Sequence, residues 1–193
     1  MSDRLEKVAE ADFPTRFGAF RIFGFRLGPE EAAVLSMGDL AGPPPLVRIH
    51  SQCLTGDVFH SLRCDCRAQL EIALEAMAQE GRGLLIYEQQ EGRGIGLLNK
   101  LRAYELQDQG ADTVEANQRL GFDADHRSYR LPGEVLHYFA ISRVRLLSNN
   151  PDKVRALERA GVVVAERVPC VAAARELAGS YLDAKKSKLG HLL

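Results

Sequence analysis

The strongest constraint on the fold of this chain is the alternation of two hydrophobic periods through its last two thirds. After Cys66, the segment RAQLEIALEAMAQEG sets Leu70, Ala73, Leu74 and Met77 at helical spacing and stops at Gly81. GLLIYEQQ then predicts a buried strand. IGLLNKLRAYELQDQG reads as an amphipathic helix ending at Gly110, and TVEANQRLGF as another with Thr113 as its N-cap. VRLLSNN reads as a strand, PDKVRALERAG as a helix with Pro151 in its first turn and Gly161 past its end, and VVVAERV as a further strand. Upstream, AAVLSMGDL and LVRIHS read as strands on either side of a loop, AGPPPL (41–46). The polar ending YLDAKKSKLGHLL is expected to be an exposed helix. Strands alternating with helices make the class α/β. One domain is expected over 1–193, with a flexible tail from about residue 175.

Composition narrows the function. The chain has 193 residues, 46% hydrophobic and 26% charged, enough for one substantial core. A formal net charge of −1 removes any global electrostatic attraction to nucleic acid or an anionic membrane, though not a local basic pocket. No apolar run approaches the roughly 20 residues that span a bilayer. The beginning, MSDRLEKVAEADF, has no signal-peptide core. A cytoplasmic protein is expected, with its thiols reduced, so that close cysteines suggest metal or catalysis before disulfides.

Three of the four cysteines stand in HSQCLTGDVFHSLRCDCRAQL, spaced C-x10-C-x-C. Thiolates suit zinc. In an extended segment Cys64 and Cys66 point to one side, and a helix starting near Arg67 places partial positive charge beside them. Cys53 joins if the intervening segment folds back. The alternative is that these are small buried hydrophobes. That fits isolated Cys170 well, and the trio poorly, because Arg63, Asp65 and Arg67 interleave with two of its members. His50 and His60 are the nearby candidates for a fourth ligand. If neither binds, the fourth position is open, as in catalytic zinc sites.

A second feature is Glu91-Gly92-Arg93-Gly94-Ile95-Gly96, between a predicted strand and a predicted helix. Glycines let backbone approach a ligand, and helix N-terminal N–H groups and Arg93 suit phosphate. A tight turn explains the glycines equally well. Arg127 and Lys153 are further candidates for anion contacts. Lys153 falls in the first turn of a predicted helix, where the dipole disfavours a cation, which raises the case for a ligand role.

Together these stretches resemble GTP cyclohydrolase II, over nearly the whole chain. The most specific are RIHSQCLTGDVFHSLRCDCRAQL, QEGRGIGLLNKLRAYELQDQG, DTVEANQRLGF and LLSNNPDKV. The resemblance implies a mixed β-sheet flanked by helices in α/β/α layers, a free-standing form and a homodimer. It implies zinc on Cys53, Cys64 and Cys66 with water in the open position, and magnesium with the triphosphate. GTP is expected to lose C8 as formate and its outer phosphates as pyrophosphate. The product is 2,5-diamino-6-ribosylamino-4(3H)-pyrimidinone 5′-phosphate, at the opening of riboflavin biosynthesis. The positions matching the family's nucleotide contacts are Arg48, Ile49, His50, Ser51 and Gln52, with Gln69, then Glu91, Gly92 and Arg93, then Thr113, Ser148 and Lys153. Asp125 matches a proton acceptor, Arg127 a nucleophile at the α-phosphate, and Tyr104 a tyrosine near the reacting ring. A guanidinium with a pKa above about 12 suits charge stabilisation at phosphorus better than covalent attack.

Four positions depart from the family's usual pattern: Gln52 for Glu, Arg67 for Gly, Gly94 for a frequent Asn, and Ser148 for Thr. Two rival readings stand beside the leading one. A paralogue that retains the formyl group would release no formate. A nucleotide-binding protein with structural zinc would have a closed site, through His60, and no turnover.

Overall fold

The computed structural model describes residues 4–122 and 126–172, with the side chains of 113 and 114 excepted. Seven strands form one sheet: β1 (Glu6–Thr15), β2 (Gly18–Leu27), β3 (Glu30–Met37), β4 (Leu46–Ser51), β5 (Gly83–Glu88), β6 (Arg143–Leu147) and β7 (Val163–Val168). Their spatial order is β1-β2-β3-β5-β4-β6-β7. The first three pair antiparallel, and β3 also meets β5 antiparallel. The pairs β4–β5, β4–β6 and β6–β7 are parallel, so the sheet is mixed. The two predicted strands flanking the proline loop are both present, but β5 lies between them.

The helices are α1 (Leu54–Asp57), α2 (Cys66–Glu80), α3 (Leu97–Asp108), α4 (Thr113–Arg119), α5 (Arg130–Tyr138) and α6 (Pro151–Arg159). Strand alternation sorts them into layers. Val47, Ile49, Leu84, Ile86, Val144 and Leu146 face one way, onto Leu131, Val135 and Leu136 of α5 and Leu157 of α6. Leu46, Leu85 and Leu147 face the other way, onto Ala73, Leu74 and Met77 of α2. Arg48 and His50 share the α2 side by the same parity, which turns them toward the cysteines.

Local chemistry explains the boundaries. α2 ends where Gly81 takes the left-handed conformation at φ 67°. Asn150 caps α6 by accepting the Asp152 N–H, with Pro151 in the first turn. α4 departs from expectation by one residue, since it begins at Thr113 and its cap is Asp112. The Asp112 carboxylate accepts the Glu115 N–H at 3.0 Å while Glu115 accepts the Asp112 N–H at 3.2 Å, a reciprocal capping box. The polar ending, with the tail expected from about residue 175, lies outside the described residues.

Candidate active site

The ends of β4, β5 and β6 that carry the next connections open into one cavity of about 700 Å³. In open sheets with parallel strands this carboxyl edge is where ligands sit. Arg48, His50, Ser51 and Gln52 come from β4 and the residue after it, and Glu91, Gly92 and Arg93 from the turn after β5. Ser148 and Lys153 follow β6, Gln69 projects from α2, Tyr104 from α3, and Arg127 from the segment before α5. Ile49 differs from its neighbours. Its side chain is fully buried in the core on the far face, and only its carbonyl turns this way, accepting the Lys153 ammonium at 2.8 Å. Asp125 and the Thr113 side chain lie outside the described residues.

The three cysteines line the same cavity. Cys53 follows β4 and α1 turns the chain back. Cys64 ends the returning loop and Cys66 is the first residue of α2, so the pair is carried by a turn into a helix rather than by an extended segment. The sulfur atoms lie within 4.8 Å of one another. Gly56 makes that possible, because a Cβ there would stand 2.6 Å from Cys64 Sγ and 3.2 Å from Cys53 Sγ. Gly56→Ala is therefore expected to lower metal affinity about 10–100-fold, read by chelator competition.

Without a cation the trio favours a single negative charge. Thiol hydrogen bonds from Cys64 and Cys66, aided by Lys100, hold the Cys53 thiol far below its ordinary pKa. The thiol of Cys64 is pushed up to about 11, first by its hydrogen bond with Cys53 and further by burial. Cys66 is raised for the same reasons. Three thiolates together therefore need a compensating ion, and the donor set fits a soft divalent cation.

Neither histidine joins the group. The described residues within reach of one ion are the three cysteines. His60 is exposed, in a left-handed turn at φ 56°. His50 Nε2 lies 3.2 Å from both Asp57 oxygens, and burial pushes its pKa down, leaving a neutral ring that donates to the carboxylate. Asp57 also accepts the Cys53 N–H at 3.0 Å and the Tyr87 hydroxyl at 2.8 Å. This buried carboxylate thereby fixes the turn that aims the first sulfur.

The cavity's cations differ in their partners. Arg48 is buried and donates to the Leu147 carbonyl and to Gln69 Oε1, holding Gln69 in place. The two terminal nitrogens of Arg93 are buried and have no hydrogen-bond partner among the described residues. Gly92 and Arg93 are both left-handed, at φ 63° and 61°, which curls this turn over the cavity. A Cβ on Gly94 would come within 3.0 Å of the His126 backbone, which accounts for glycine there. Gln90 pins the neighbouring segment through the Ser128 N–H and carbonyl, placing Arg127, whose Nη1 is 3.5 Å from Ser51 Oγ.

Below Arg127 and Lys153, burial pushes the Glu88 carboxyl up to about 7 against the pull of both cations. An unfolded chain releases that proton near the ordinary 4.5. Between these values the folded state holds a proton that the unfolded state has lost, so stability falls as pH rises through the window and is flat above it. Glu88→Gln removes the titration. Its stability relative to the natural chain is expected to improve by about 2–3 kcal/mol between pH 4 and pH 8, read from denaturant midpoints.

Sequence reasoning missed Lys100, Gly56 and Asp57. Lys100 Nζ lies 3.2 Å from Cys53 Sγ and 2.7 Å from Glu91 Oε1. Burial opposes its charge, but the Cys53 sulfur and the Glu91 carboxylate outweigh it and keep the pKa above the ordinary value. The available signal was the i,i+4 relation to Tyr104, which puts the two on one helix face. Tyr104 itself bonds the Thr55 hydroxyl at 3.1 Å, and burial raises its pKa, so the phenol keeps its proton. Arg67 fits without disturbing the site, reaching back to the Asp57 carbonyl at 2.8 Å and pairing with Glu71 at 2.9 Å.

Comparison with known proteins accounts for this arrangement. A GTP cyclohydrolase II family model matches residues 6–169. A GTP cyclohydrolase-2 of Pseudomonas aeruginosa is 56% identical over 190 residues, covering 96% of this chain and 92% of its own. Those of Salmonella typhimurium (53%, covering 98% of both chains) and Proteus mirabilis (50%, covering 98% and 97%) are similar over 194 residues. Sheet, cavity and cysteine trio therefore belong to an enzyme of known kind: the chain is a member of the GTP cyclohydrolase II family of hydrolases.

Proposed function

We propose that the chain opens the imidazole ring of GTP at a zinc ion held by Cys53, Cys64 and Cys66, releasing formate and pyrophosphate. The product is 2,5-diamino-6-ribosylamino-4(3H)-pyrimidinone 5′-phosphate, the starting point for riboflavin. The observation that carries this reading is the convergence, on one cavity, of three sulfurs, with no fourth His, Cys, Asp or Glu grouped with them among the described residues, and a set of arginine and lysine side chains. Zinc bound there would supply Lewis acidity for hydrolysis at C8. A binder with only structural zinc would close that fourth position with a protein ligand.

The protein's own groups divide the remaining work. Tyr104, protonated and beside the sulfurs, delivers a proton to the ring nitrogen that departs as C8 is hydrolysed. Arg93, Arg127 and Lys153 bind the triphosphate. Arg127 stabilises the charge that develops when the α–β phosphoanhydride breaks, a role that suits a permanently charged fork. Gln69, oriented by Arg48, and Gln52, which also lines the cavity, present amide groups to the nucleotide. Ser148 supplies a hydroxyl, Thr113 another, and Asp125 is assigned as the proton acceptor. Magnesium accompanies the triphosphate. A homodimer and a cytoplasmic setting complete the proposal, and the described residues include no helix long and apolar enough to cross a membrane.

The test is to incubate zinc-loaded protein with GTP and magnesium and to count formate and pyrophosphate against GTP consumed. One of each per GTP is expected. Pyrophosphate without formate identifies an enzyme that keeps the formyl group. GTP left intact beside fully bound zinc overturns the proposal.

A further inference from the structure

Three thiolates around a divalent cation leave a net charge of −1 in a site where two of the three cysteines are buried. Such a charge is costly away from water unless a counter-charge stands beside it. The described residues supply one. Lys100, in the first turn of α3, points its ammonium at Cys53 Sγ from 3.2 Å with its side chain only 12% exposed. It does not stand alone. Glu91 Oε1, 2.7 Å away, also accepts the Gly92 N–H, and Oε2 accepts the N–H of Leu54, the residue after Cys53. One buried carboxylate thus ties the glycine turn, α3 and the cysteine loop together. With both its oxygens engaged, Glu91 acts as a brace rather than as a nucleotide contact.

We infer that Lys100 is the positioning and charge-balancing residue of the three-cysteine metal centre, held for that purpose by Glu91. The inference rests on the metal centre proposed above and extends it. An N–H donor at a thiolate withdraws electron density from sulfur. Thiolate ligands otherwise quench the electrophilicity of their ion, so a charged donor on one of them restores part of it. Lys100 touches a ligand and not the reacting atoms. Its geometry also argues against a phosphate contact, because two of its donors are committed to sulfur and carboxylate.

The test replaces zinc by cobalt(II) in the natural chain and in Lys100→Met, Lys100→Leu and Lys100→Arg. The readouts are the near-ultraviolet sulfur-to-cobalt charge-transfer band and steady-state formate release by the zinc forms. In the natural chain the band is expected at an intensity set by three thiolates. In the Met and Leu variants it should move to lower energy, since a sulfur without its N–H donor gives up an electron more easily. Their kcat should fall about 10–100-fold, with KM for GTP held within about threefold. Lys100→Arg should return the band toward its natural position and recover most of the rate. An unmoved band in the neutral variants overturns the inference. So does a raised KM at unchanged kcat, which would make Lys100 a substrate ligand. A natural chain with no charge-transfer band removes the metal centre itself, a failure distinct from a band that is present but does not move.

Discussion

Cys64→Ser is expected to strip the metal from this protein and to lower formate release about 1,000-fold or more, while Cys170→Ala leaves both in place. The contrast follows from where the two sulfurs sit. Cys64 Sγ is 3.7 Å from Cys53 Sγ on the cavity wall. Cys170 is fully buried in the layer packed on α2, with its sulfur 3.7 Å from the Gln69 carbonyl. A serine hydroxyl at position 64 is too weak an acid to bind as an anion at neutral pH, and two thiolates hold zinc far less firmly than three. The measurement is zinc per chain after dialysis against a mild chelator, together with formate yield. Cys64→Ser that keeps a full equivalent of zinc would show that the sulfurs are not its ligands. Loss of zinc from Cys170→Ala would show that sequence and structure have both misplaced the site.

How much of this was legible in the sequence depended on how far apart the cooperating residues lie. Helices with end signals were readable: α2 stops at Gly81, and α6 starts at Pro151. α5 was not predicted, because RLPGEVLHY carries Pro132 and Gly133 inside it. The proline is harmless in the first turn, where its missing N–H has no helical partner. The glycine is needed because a Cβ there would stand 2.7 Å from Ala160 Cβ at the close of α6, a contact that no local pattern announces. β1 lacked a readable period, since it is exposed along nearly its whole length. The site shows the same division. C-x10-C-x-C is a short-range pattern and was readable as a metal candidate. Lys100 reaches Cys53 across 47 positions, and Glu91 reaches Leu54 across 37. Such pairings depend on the strand order that brings the ends of β4 and β5 side by side. That order is not sequential, because β5 inserts between β3 and β4.

Arg93→Gly should make the empty protein more stable and the GTP-bound protein less so. The turn holds Arg93 at φ 61°, a conformation that costs an ordinary residue about 1–2 kcal/mol and glycine almost nothing. Its terminal nitrogens are buried without a hydrogen-bond partner among the described residues, a further penalty of about 1–3 kcal/mol. Glycine removes both, at the expense of a more flexible unfolded chain worth up to about 1 kcal/mol. The empty variant is therefore expected to gain about 1–3 kcal/mol in denaturant titration. On the proposed assignment of Arg93 to the triphosphate, a phosphate completes the site and offsets that strain. A bidentate pair between guanidinium and phosphate is worth enough that losing it should raise KM for GTP about 100-fold. The rise in melting temperature that saturating GTP and magnesium give the natural chain should shrink accordingly. The two effects have opposite signs, so a general loss of folding cannot imitate them. If the empty variant is destabilised, the turn needs arginine for its own packing. If KM is unchanged, the orphaned guanidinium has some other partner, and the triphosphate lies elsewhere in the cavity.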